Sequence, residues 1–174
     1  MNVALLVLRV IVGGLFVGHG SQKLFGWFGG GGPKGTASFF ESVGLTPALP
    51  FALLAGTAEL AGGLLLGFGL FVPVAALLLV GVMTTAIAAV HWKNGLWVTA
   101  DGLEYPLVMA TVAFAVAALG PGSISLDDAF GIDWAGLKWA VGAAAGGGLG
   151  GLIVFALGRF AGRTQRHETP MHAA

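Results

Sequence analysis

The chain has 174 residues, 56% of them hydrophobic and only 9% charged, with a mean hydropathy of +0.90. Soluble domains carry about 25% charged residues, so this composition describes an integral membrane protein. Zero formal net charge removes a nucleic-acid reading, and the lack of cysteine excludes thiol, persulfide and thiolate-metal chemistry within this chain.

The first apolar stretch, Val3 to Gly20, has the length and hydropathy of a membrane-spanning helix. It has no basic leader and no clean small-residue cleavage site, so it is expected to be retained and not removed as a signal peptide. Arg9, Gly13, Phe16, Gly20 and Lys23 share one helical row, which should face other helices. A guanidinium in the apolar layer costs about 3 kcal/mol on insertion scales and needs a partner or a watery cavity.

After His19 to Lys23 come the interfacial Leu24, Phe25, Trp27 and Phe28, then a flexible Gly29 to Pro33 loop. Thr36 to Val43 is expected as a short surface helix capped by Thr36. The second span, about Leu49 to Phe71, carries Ala52, Gly56, Glu59, Gly63 and Leu66 on one stripe. Glu59 is the candidate partner for Arg9. The two could form a structural ion pair that fixes register, or a site for an anionic or quinone head group. If they do not touch, Thr57, Thr84 or Thr85 should intervene.

Pro73 opens the third span, which runs to about Val90 and ends in His91 to Gly95. Glu104-Tyr105-Pro106 begins the fourth, which ends near Leu119 and leads into an acidic loop with Asp127, Asp128 and Asp133. A fifth apolar stretch follows from Ala135 to Leu157. Its repeated Gly142, Gly146 and Gly150 signal close packing, either inside the bundle or between copies as a homo-oligomer. Arg159 to Ala174 is a polar tail expected to lack fixed structure.

Five spans with a cytoplasmic carboxyl terminus put Lys23, Lys34, Lys93, Arg159, Arg163 and Arg166 inside, and Lys138 with the acidic loop outside. The positive-inside rule favours this orientation, with the amino terminus external. His19, Lys23, His91 and Glu104 then share one membrane edge. There they could bind a polar head group or carry protons, or simply anchor helix ends. Two histidines without further ligands do not make a metal or haem site, and Ser21, Ser38 and Ser42 lack a base to make a nucleophile. The five tryptophans fit interfacial belts.

Several of these features together resemble the DoxX family of small prokaryotic membrane proteins. They are Leu8-Arg9, Gly20 to Lys23, Ala58 to Gly63, His91, Asn94-Gly95, Glu104 and Gly120 to Asp127, in that order, over about Val3 to Phe130. The resemblance implies a four-helix membrane bundle. Some members are associated with thiosulfate:quinone oxidoreductase and others with defence against oxidative stress. The expected fold class is all-α: an antiparallel four-helix transmembrane bundle over residues 1–131, with a fifth C-terminal transmembrane helix in 132–158 and a tail in 159–174. The expected role is a non-catalytic, accessory or quinone-associated subunit of a redox system in a prokaryotic plasma membrane, with lipid and redox enzymes as partners. The candidate pocket is Arg9, His19, Lys23, Glu59, His91 and Glu104, with no catalytic residue and no metal. A small oligomeric transporter and a scaffold for soluble enzymes are the rival readings.

Overall fold

The structure, a computed structural model, describes residues 2–168, with side chains as far as Gly162. Among the described residues every regular element is helical. Four helices are long and apolar enough to cross a membrane: Asn2–Phe25, Ala48–Phe68, Val72–Asn94 and Leu137–Gly162. The protein is a polytopic helical membrane protein.

Helix α1 (Asn2–Phe25) extends five residues beyond the expected Gly20, carrying Lys23 on its last turn. A 3₁₀ turn at Trp27–Gly29 leads to α2 (Gly32–Ser42). This helix starts four residues before the expected Thr36, because Pro33 fits the first turn, where its missing N–H is no loss. Helix α3 (Ala48–Phe68) ends on Gly69 in the left-handed region, and α4 (Val72–Ala86) follows at once with Pro73 in its first turn. The two make the expected tight hairpin. Past Ala86 the third span continues as a π turn at Ile87–His91 and a 3₁₀ turn at Trp92–Asn94.

Helix α5 (Glu104–Leu119) has 16 residues, a rise of about 24 Å. A four-residue α6 (Leu126–Ala129) sits in the acidic loop. Helix α7 (Leu137–Glu168) runs past Arg159 into the stretch expected as tail; residues 169–174 of that stretch lie outside the described residues.

Small residues set the packing. A Cβ on Gly13 would lie 2.6 Å from the Gly63 carbonyl oxygen, and one on Gly20 would lie 2.6 Å from the Leu60 nitrogen. Only glycine lets α1 and α3 come this close, in an antiparallel register that sets Gly13 beside Gly63 and Gly67, and Gly20 beside Gly56 and Leu60. On the other side of the bundle α7 lies along α4, with Gly147 and Gly151 against Gly81. Thr85 donates to the carbonyls of both Gly81 and Gly151, at 3.0 Å each. The fifth span is therefore an integral part of the bundle. Between these layers lies a core of Val12, Phe16, Leu66, Leu79, Met83, Met109, Ala113, Val116 and Ala140.

Candidate functional site

The α1–α3 register separates the two buried charges expected to pair. It places Arg9 beside Gly69, ten residues beyond Glu59, which is about 15 Å along the helix axis. Arg9 is 0% exposed and donates through Nη2 to the Ile124 carbonyl, in the loop before α6. Its electrostatic counterpart is Asp127, itself 1% exposed. Asp127 accepts from the Phe71 nitrogen at 2.8 Å and the Val72 nitrogen at 3.3 Å, capping the start of α4, while its own N–H donates to the Gly69 carbonyl at 2.9 Å.

The expectation that Arg9 faces Glu59 is thus corrected: its partners come from the loop after α5. The physical reason is length. Helix α5 is eight residues shorter than the 24-residue α1, about 12 Å, so the following loop descends to the depth of Arg9. The threonines expected to mediate are not needed, and Thr85 bridges α4 and α7 instead.

Glu59, 3% exposed, pairs with Lys23. Lys23 lies one turn past the point where α1 meets Glu59, its Cβ against Gly56, and its long stem reaches back to bring Nζ to 2.6 Å from Oε2. Around this pair the structure gathers His19 and Tyr105. His19 Nε2 and the Tyr105 hydroxyl share a hydrogen bond of 3.1 Å, and His19 Nδ1 meets Gln22 Oε1 at 3.2 Å. The Gln22 amide in turn donates to the Phe28 carbonyl.

His19, Lys23, Glu59 and Tyr105 line a cavity of about 490 Å³. His19, Lys23, Glu59, His91 and Tyr105 are its ionisable lining; most of the remainder is apolar or glycine, including Phe16, Met83, Leu77 and Val154. Of the six candidate pocket residues the structure brings four together here: His19, Lys23, Glu59 and His91. Arg9 belongs to the opposite end of the bundle. Glu104 accepts from the Val98 nitrogen at 2.9 Å and closes the 95–103 loop without lining the cavity. His91 Nδ1 contacts the Asp101 carbonyl at 2.7 Å, so this imidazole joins the cavity wall to that loop.

Two positions that complete these clusters do not stand out in the sequence. Tyr105, the one tyrosine in the chain, was seen only as the start of a span, although its place between Glu104 and Pro106 at the membrane edge was a usable signal. In sequence Asp127 is one of three acids in its loop and the last residue of the Gly120 to Asp127 motif. The Ser125-x-x-Asp128 cap beside it, closed by a 3.2 Å bond from the Asp128 nitrogen to Ser125 Oγ, marks an ordered turn that could have flagged it.

No group of three or more histidines or carboxylates suited to a metal occurs among the described residues. The cavity can instead receive an amphipathic molecule. Its ionisable lining offers an ammonium, a carboxylate, two imidazoles and a phenol; the rest offers mostly aliphatic and aromatic surface.

Comparison with known proteins agrees with this architecture. The sequence model of the DoxX family matches residues 4–92. A Bacillus subtilis (strain 168) protein named "Putative oxidoreductase CatD" is 31% identical over 115 residues, covering 66% of this chain and 79% of that one. No solved structure matches significantly.

Proposed function

Because the chain belongs to the DoxX family, we propose that it is a quinone-associated, non-catalytic subunit of a membrane redox system, with its head-group site at Lys23 and Glu59. The name of the Bacillus relative favours redox chemistry over transport. The observation that carries the reading is the cavity: long and mostly apolar, with five ionisable groups, His19, Lys23, Glu59, His91 and Tyr105, in its lining.

The charge arrangement favours a neutral head over an anionic one. Arg9, the fixed cation that would suit a carboxylate or oxyanion, lies elsewhere, and Lys23 is already neutralised by Glu59 at 2.6 Å. What remains to a ligand is hydrogen bonding. Lys23 has donors beyond the one given to Glu59, the Tyr105 hydroxyl can donate or accept, and His19 and His91 offer ring nitrogens. A bound quinone would supply reversible two-electron, two-proton chemistry. The protein would orient the head, exclude bulk water and move protons at His19 and Tyr105.

Removal of charge at constant shape tests this. Glu59→Gln and His91→Gln should insert and fold, yet weaken quinone binding to the purified protein and slow electron transfer with a co-purified redox partner. If both variants fold and both activities are unchanged, the pocket is structural. Solute flux through proteoliposomes without quinone binding would favour the transporter reading.

A further inference from the structure

Along the third span the cavity lining runs from Val90 back to Leu77, and Glu59 on the antiparallel α3 stands about level with Gly81, between the two. Thirteen residues at 1.5 Å each make this a slot about 20 Å long, two-thirds of a hydrocarbon layer of about 30 Å. It is bounded by α3, through Phe51 to Glu59, on one side and by α7 on the other. These two helices barely touch, so the slot is open on that flank. Leu54 of α3 and Leu77 of α4 line it and are 52% and 41% exposed.

On α7 the edge is made by Gly146 and Gly150, both exposed. They differ from the glycines one position on. Gly147 and Gly151 are filled by the backbone of α4, whereas a Cβ on Gly150 would meet nothing within 4 Å and one on Gly146 would meet only the end of Leu77, at 3.3 Å. Helix packing therefore explains Gly147 and Gly151 and leaves Gly146 and Gly150 to keep the slot clear.

We infer that this glycine-edged slot between α3 and α7 is the tail compartment of the head-group site, and that it takes the single prenyl chain of a membrane-borne quinone, which slides in sideways from the bilayer. The inference rests on the head-group reading above and specifies its ligand. A phospholipid fits worse. It brings a phosphate to a pair that is already neutralised, and two chains to one slot. A water-soluble ring would leave the slot without an occupant.

The test compares two probes on the purified full chain in detergent: a tail-less dimethylnaphthoquinone and a tetraprenyl menaquinone. Wild type should bind the tailed probe more tightly. Gly150→Leu fills the slot without striking backbone, and should weaken the tailed probe about tenfold or more while leaving the tail-less one within about twofold. Gly146→Leu is the second filling variant, should the first not fold. Gly142→Leu, on an exposed position where a Cβ meets nothing, should change neither. Glu59→Gln should weaken both probes.

A tail that adds no affinity, or tailed binding that survives both filling variants, overturns the tail compartment and leaves the head-group site standing. Binding of neither probe to wild type overturns both. Binding of a phospholipid that competes with the tailed probe but not with the tail-less one would assign the slot to lipid instead.

Discussion

Asp127 serves several groups at once. It caps α4, sits opposite Arg9 and anchors its loop to the end of α3 through the Gly69 carbonyl. It also holds Phe71 in a left-handed conformation, φ 47°, that a bulky side chain rarely adopts. Asp127→Ala should therefore cost about 3 kcal/mol or more, since it removes a cap and leaves a buried guanidinium without its counter-charge. Thermal unfolding in detergent reads this directly, and Arg9→Met placed on top of Asp127→Ala should recover part of the loss. An additive double mutant would show that the two residues act independently. Neither substitution touches the cavity at Lys23 and Glu59, so any binding of the tail-less probe there should persist in whatever fraction stays folded.

At the scale of elements, the α1–α3 contact is governed by glycines. Gly63→Ala pushes a methyl to within 2.7 Å of the Gly13 carbonyl oxygen, whereas Gly14 faces open space. Gly63→Ala should destabilise by about 1–3 kcal/mol, and Gly14→Ala should be neutral or slightly stabilising by helix propensity. Equal melting temperatures for the two would undo this account of the register. The same contact shows how far the sequence was legible. The rows Arg9–Gly13–Phe16–Gly20 and Ala52–Gly56–Glu59–Gly63–Leu66 are buried as their spacing requires, because helical period is a local property. The pairing of Arg9 with Glu59 was not legible from rows alone, because partner choice depends on how far one helix slides along another. That offset was written in two seven-residue glycine spacings, Gly13 to Gly20 and Gly56 to Gly63. Aligning them head to tail brings Lys23, not Arg9, within reach of Glu59. The cavity and the place of Tyr105 were hidden for a different reason: the one depends on the gap between α3 and α7 and the other on the contact of α5 with His19 of α1, which no single helix encodes.

For the molecule as a whole, the end of α1 with Lys23, the end of the third span with Lys93 and the part of α7 with Arg159 lie on one side with α2 and its Lys34, and the acidic loop lies on the other. The positive-inside rule then predicts that a reporter fused after residue 174 reads cytoplasmic and one inserted near Ser123 reads external; the reverse pair of results would invert the orientation. The tryptophans divide in the same way, with Trp27, Trp92 and Trp97 exposed at one edge and the stacked Trp134 and Trp139 at the other. The shortness of α5 reaches beyond the protein itself. Leu107, Val108 and Leu119 are exposed, so this helix presents a hydrophobic band only about 24 Å tall to its neighbouring lipids, against about 30 Å for an ordinary hydrocarbon layer. The adjoining leaflets must pinch inward there by several ångströms, at a fraction of a kcal/mol per ångström, while lipids beside α1 remain unstrained. The protein should thus gather short-chain lipids along one flank and unfold at a higher temperature in thin phosphatidylcholine bilayers than in thick ones, a ranking that melting curves across a chain-length series would either reproduce or reverse.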